Sequence, residues 1–171
     1  MKEHHGMRPQ DVIILLKVIS LNDQPWHIKD LAFSLSISAS EVSVSLSRSH
    51  AAGLLDASKK KVSRQAFLLF IQYGLRYVFP QIPGSMVIGV PTAHSHPFYK
   101  SQILSEIDYV WPDNAGPIRG FAIQPLHSGV TKAVAQDPIL YKLLASIDIL
   151  RVGRNREVGL AIEELKKHIL L

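Results

Sequence analysis

The sequence predicts an α+β protein, mostly α, and three observations carry that expectation. Apolar residues recur at helical spacing through the first 78 residues. Seven of the ten prolines then fall between Pro80 and Pro125. From Leu140 onward the helical spacing returns. Prolines at that density leave room only for short strands and ordered loops, because each removes a backbone donor that a helix or a central strand needs. The chain is thus expected to divide into a helical region over 8–78 and a region over 79–171, where a proline-rich α+β segment leads into a helical hairpin.

Val12, Leu15, Leu16 and Ile19 stand at i, i+3, i+4 and i+7, one stripe of an amphipathic helix. Pro9 sits near its first turn, where a missing N–H costs nothing, and residues 22–25 end it. Ile28, Leu31, Ala32 and Leu35 mark a second, short helix. Over 34–49 serines alternate with other residues, a spacing that by itself reads as a strand. Two features favour a turn at Ser36-Ile37-Ser38 followed by a third helix over 39–52. No turn residues break the run into strand lengths, and Ser38 and Glu41 have capping-box spacing, in which each side chain satisfies the other's free backbone N–H. On a helical wheel Ala39, Val42, Leu46 and Gly53 share one face, while Ser40, Ser43, Val44, Ser47 and Ala51 share the opposite one.

Gly53 can end that helix in the left-handed conformation. Two short strands, around Leu54-Leu55 and Lys61-Val62, would then form a hairpin with lysines at its tip. Over 64–78 Phe67, Phe70, Ile71, Gly74, Leu75 and Val78 form one stripe, and Leu68, Leu69 and Tyr73 add apolar surface elsewhere. A helix apolar on two sides is expected to be buried on two sides, bridging to the second half or to a partner subunit. Strand candidates are 86–90, 107–111 and 118–123, with the last two placed to pair across 112–117. Leu140, Leu143, Leu144, Ile147 and Leu150 form one terminal stripe; Val158, Ala161, Ile162, Leu165 and Ile169 form another, with a turn at 152–155.

Composition narrows the function classes. With 47% hydrophobic and 19% charged residues, the chain is expected to pack as a globule. No apolar run reaches the ~18–20 residues a bilayer demands, and the first ten residues do not read as a secretory signal. The absence of cysteine excludes disulfides, thiolate metal sites and cysteine nucleophiles, and suits a reducing cytoplasm. The net charge of +5 is uneven: residues 1–78 hold ten Lys/Arg against six Asp/Glu, and 79–171 nine against eight. A polyanion-binding surface needs such a basic excess in the first half.

Three helices followed by a basic hairpin is the order of a winged helix-turn-helix. The run Ser40-Glu41-Val42-Ser43-Val44-Ser45-Leu46, with its exit Ala51-Ala52-Gly53-Leu54-Leu55, resembles the recognition helix of bacterial winged-helix regulators of the MarR and ArsR kind. Pro25-Trp26-His27-Ile28-Lys29-Asp30-Leu31-Ala32 resembles their preceding helix. The resemblance covers about the first 75 residues and none of the second half. Val44 stands where those regulators usually carry a long polar side chain, and Ser49 where they usually carry a core leucine.

The resemblance implies a homodimeric transcription regulator that places helix 39–52 in the major groove of double-stranded DNA. Ser40, Ser43, Val44 and Ser47 would face the groove, with Arg48 at the border able to bind guanine bidentately. Lys59, Lys60, Lys61 and Arg64 would meet phosphates beside it. The alternative is a non-enzymatic protein-interaction module, as in antitoxins that join a winged helix to a toxin-binding region. The second half is then expected to dimerise the protein, to bind a small-molecule effector or to hold a protein partner. Enzymatic candidates are few. His94, His96, His127 and Asp113 could supply zinc ligands, yet no H-E-x-x-H and no phosphate-binding glycine loop accompanies them. No catalytic residue, metal or cofactor is therefore assigned. His4 and His5 are expected at a mobile end.

Overall fold

A computed structural model describes residues 5–171; His4 lies outside the described residues. The protein is an α+β fold, mostly α. Helices α1 (Pro9–Ser20), α2 (Ile28–Leu35) and α3 (Ala39–Ala51) come first, then a tight hairpin, α4 (Arg64–Tyr73) and α5 (Leu75–Val78). Strand β1 (Met86–Pro91), the short helix α6 (Pro97–Lys100), β2 (Tyr109–Pro112) and β3 (Ile118–Ala122) form the proline-rich segment. Helices α7 (Val130–Val134), α8 (Pro138–Val152) and α9 (Asn155–Ile169) close the chain, the last two as the expected antiparallel hairpin. Among the described residues no helix is long and apolar enough to cross a membrane.

Helix α1 departs from the single stripe that its spacing predicts. Ile13 and Ile14 are as buried as Val12, Leu15, Leu16 and Ile19. The reason is that α1 packs against α3 and α2 and also against α8 and α9. One apolar core runs continuously through both halves of the chain, so the division at 78 is one of composition and does not separate two cores. Helix α4 bridges to the second half, contacting α9 and α8 through a face that includes Phe67, Leu68 and Ile71, but the second apolar side expected to be buried is not: Leu69 and Tyr73 are exposed. It stops sooner than expected, at Gly74, whose φ of −118° breaks the helix. Beyond the break, Phe79 meets Phe70 edge to face with ring centroids 6.4 Å apart.

The strands lie close to where the sequence puts them, but their pairing differs. β1 runs antiparallel to both others, and β2 meets β3 in a short parallel contact at Tyr109–Phe121 and Val110–Ala122. A hairpin across 112–117 would have been antiparallel. Instead β3 takes the first half of β1 and β2 the second, both reaching Gly89, and the three strands close on one another. Glycine makes so tight a closure possible. A Cβ on Gly89 would lie 2.0 Å from the Trp111 carbonyl oxygen, and one on Gly120 would lie 2.6 Å from that of Asp108.

A buried ion pair fastens this segment to α8. Asp148 accepts hydrogen bonds from Thr92 Oγ1 (2.7 Å), Trp111 Nε1 (2.7 Å) and Arg151 Nη1 (2.9 Å). Burial pushes its carboxyl above the usual range while the Arg151 guanidinium pulls the other way. Arg151 also donates to the carbonyls of Phe79 and Gln124 and to Gln81 Oε1. One side chain thus satisfies acceptors on the chain entering and leaving the sheet.

Candidate nucleic-acid interface

The surface that the sequence singles out begins at the α2–α3 turn. Ser36 closes α2 in the left-handed conformation, φ 54°. Ser38 then caps α3, its Oγ accepting from the Glu41 N–H at 3.2 Å. The reciprocal half of the expected capping box is missing, because the Glu41 carboxylate turns to Gln10 Nε2 (2.9 Å) and Arg48 Nη2 (2.7 Å). Those hydrogen bonds, Arg48 first and Gln10 second, hold the Glu41 carboxyl below its ordinary value. At the far end Gly53, at φ +76°, closes the helix as expected, and the Leu54 N–H bonds back to the Ser49 carbonyl at 2.9 Å.

Helix α3 turns Val42 and Leu46 inward and leaves Ser40, Ser43, Val44 and Ser47 exposed, as the wheel predicts, but Ser45 and Ser49 complete the inner face while Ala39 and Gly53, expected there, are exposed. Ser49 sits in the core with its Oγ unpartnered, where an apolar side chain would lose nothing. Arg48 requires correction. It does not lie at the border of the outer face but is buried. Its guanidinium grips Asp11 through Nε (3.0 Å) and Nη2 (2.7 Å). Asp11 is fully buried and also accepts from Ser45 Oγ at 2.6 Å and from the Arg8 N–H at 2.8 Å. Arg48 therefore ties α3 to α1, its Nε and Nη2 taken up by Asp11 and Glu41.

The four basic residues around the hairpin part company too. The hairpin narrows to one bridge, Leu55–Val62, in place of two strands. Asp56 organises its tip by accepting from the N–H groups of Lys60 and Lys61, both at 3.1 Å, and from Ser58 Oγ. Lys59, at φ +58°, reaches across to α3, where its Nζ donates to Ser47 Oγ at 3.1 Å. Lys60 lies over the Trp26 ring, 3.9 Å from its centroid, and donates to the Trp26 carbonyl. The Lys61 side chain is exposed. Arg64 points away and donates to the carbonyls of Ile169 and Leu171 at the end of α9.

The surface thus unites Ser40, Ser43, Val44 and Ser47 with Lys59, and Lys61 lies at the same hairpin tip. Nothing in the sequence pattern points to the Lys60–Trp26 contact or to the role of Asp11. The position of Asp11, directly preceding the apolar run that α1 buries, marks only that a carboxylate stands at the edge of the core.

The histidines do not converge. Among the described residues no group of three or more His, Asp or Glu could hold a metal ion. His94 Nε2 bonds the Ile107 carbonyl at 2.6 Å. His96 Nδ1 and His127 Nδ1 each accept a backbone N–H two residues on, from Phe98 and Gly129. The Asp113 carboxylate accepts from the Ala115 N–H. His96 is packed against the Tyr141 ring, and burial, aided by the Lys142 charge, lowers its pKa to about 4. His96, Asp113 and His127 thus hold their own turns together, and His94 ties its turn to the segment before β2. No protein-family model matches the chain, and neither the curated proteins nor the solved structures contain a match.

Proposed function

We propose that the protein is a cytoplasmic, winged helix-turn-helix transcription regulator that binds double-stranded DNA and acts without catalysis. The observation that supports this reading is the continuous outward row Ser40, Ser43, Val44 and Ser47, joined to the hairpin by the Lys59–Ser47 hydrogen bond. Small side chains let a helix backbone approach the floor of a major groove closely, and their hydroxyls bond to bases or phosphates. Lys59 and Lys61 would neutralise phosphates on the flank. Because Arg48 is turned inward, the outer face of α3 carries no long forked donor. Base discrimination then rests on hydroxyls, on the Val44 methyls against thymine and on DNA shape.

Fluorescence anisotropy with the DNA upstream of the protein's own coding region and with a scrambled duplex, across a salt series, tests the reading. Preferential binding to the first duplex is expected. Ser43→Glu, which sets a carboxylate against the DNA without touching the core, should weaken binding at least ~10-fold. Lys59→Ala with Lys61→Ala should flatten the salt slope by about two. Undiminished binding by Ser43→Glu, or no binding to either duplex, would overturn it.

A further inference from the structure

Between α6 and β2 the chain runs as a loop over 101–108, which lies beside the turn between α8 and α9. Two adjoining cavities open between them. The first, about 380 Å³, is lined by Gln102, Arg154 and Arg156, and the second, about 300 Å³, by His94, Ile107 and Tyr109. Leu104, Arg154 and Glu157 line both. Together the two have the size of an ordinary small-molecule site, ~300–1,000 Å³.

Two features of this cleft point to a ligand. One is charge. Arg48, Arg64 and Arg151 all donate to protein acceptors, whereas the Arg154 and Arg156 guanidiniums donate to nothing and enter no ion pair among the described residues. Glu157 shares the cleft, but its carboxylate is taken up by the Arg154 N–H at 2.9 Å. The other feature is His94, 6% exposed. Its Nε2 meets the Ile107 carbonyl at 2.6 Å. A carbonyl can only accept, so Nε2 carries the hydrogen and Nδ1 of the neutral ring is an acceptor. Nδ1 has no partner, yet among the described residues Ser49 Oγ alone is a side-chain atom both enclosed and unpartnered. His94 Nδ1 therefore opens into the cavity that His94 lines.

Chemistry narrows the occupant. One guanidinium fork satisfies both oxygens of a carboxylate, whereas two forks suit the three terminal oxygens of a phosphate monoester. His94 Nδ1 and the exposed Glu106 carboxylate are acceptors for hydroxyl groups, and Ile107, Tyr109 and Val152 supply an apolar wall. A nucleic-acid backbone fits poorly, because it would bring further phosphates against Glu106 and Glu157.

From this we infer that the cleft between loop 101–108 and the α8–α9 turn binds a small, hydroxyl-bearing phosphate monoester of the sugar-phosphate kind. Arg154 and Arg156 hold its phosphate, and His94 accepts from one of its hydroxyls. The site does not rest on the DNA-binding reading.

Isothermal titration calorimetry of the full chain with ribose 5-phosphate, glucose 6-phosphate and adenosine monophosphate tests the assignment, with the unphosphorylated compounds and inorganic phosphate as references. At least one monoester should bind with a Kd of about 0.1 mM or tighter. Inorganic phosphate and the unphosphorylated compound should each bind at least ~10-fold more weakly. Arg154→Ala combined with Arg156→Ala should weaken the monoester at least ~10-fold with unchanged circular dichroism, because both side chains are exposed. Arg76→Ala with Arg119→Ala removes the same charge from exposed positions outside the cleft, and should alter affinity less than ~2-fold. No binding by any of the three monoesters, an affinity matched by inorganic phosphate, or equal losses from the two double substitutions would overturn the inference. DNA enters none of these measurements, so failure here and failure to bind DNA are separate results.

Discussion

At the residue scale, Arg48 and Asp11 show how a charge can be read correctly for its type and wrongly for its direction. Helical spacing sets Arg48 between the inner and outer faces of α3, and spacing alone does not decide which way a long side chain turns. Its partner, 37 residues earlier in sequence, decides it. A buried carboxylate without its cation is far costlier than either side chain exposed. Arg48→Ala is therefore expected to cost about 3 kcal/mol in urea unfolding, while Lys61→Ala, at an exposed position, stays within about 0.5 kcal/mol. Similar losses for both would show that the Asp11 pair is not what holds α3. His96 supplies a pH dependence. Its folded pKa of about 4 lies below the unfolded value of 6.5, so the unfolded chain binds the proton more readily between them. The stability contributed by neutral His96 is complete above pH 6.5 and drains away as pH falls toward 4. Allowing for residual solvent access to the ring, the loss is on the order of 2 kcal/mol. His96→Asn keeps an acceptor for the Phe98 N–H but does not titrate, so it should flatten the stability profile over that window. An unchanged profile would assign the titration to another group.

At the scale of elements, the long helices were legible because each carries its own signal in an apolar stripe, a cap or a closing glycine, whereas α6 and α7 are too short to carry a stripe and were not foreseen. The tight hairpin was legible as a place but not as a length, since a single bridge leaves almost no pattern in sequence. The strands were legible individually, yet their partnership was not. Alternation in β2 and β3 cannot reveal that both lie against β1 at Gly89, because that register is fixed by where backbones can approach. Gly89→Ala puts a methyl group on the Trp111 carbonyl and should cost ~3 kcal/mol or more, with loss of the near-ultraviolet signal of Trp111. Gly159→Ala, which meets nothing within 4 Å on the exposed side of α9, should be neutral or slightly stabilising. Equal behaviour of the two would mean that the closure of the strands tolerates a side chain.

At the scale of the molecule, composition suggested two regions and packing joins them. The clue was in α1, where the five successive apolar residues from Val12 to Leu16 exceed what one amphipathic face can use. That run needed a second set of neighbours, and α8 and α9 provide it. Two further ties cross the same boundary: Lys17 Nζ pairs with Asp137 at 2.6 Å, and Arg64 holds the end of α9. Residues 8–78 expressed alone should accordingly fail to fold, and the full chain should unfold in one transition seen alike by far-ultraviolet circular dichroism and by tryptophan fluorescence. A folded fragment giving dispersed amide resonances would contradict the shared core.

The outer row of α3 has a consequence for how the protein can change over time. Ser40, Ser43, Val44 and Ser47 support no packing, whereas Asp11, Ser45 and Arg48 behind them are locked together. Mutational drift can rewrite the first set at almost no cost to folding, but a change in the second strands a buried charge. The same helix therefore offers selection a freely editable surface mounted on a fixed bracket. On the proposed DNA-binding reading, descendants of this chain could come to favour new targets through substitutions at those four positions alone.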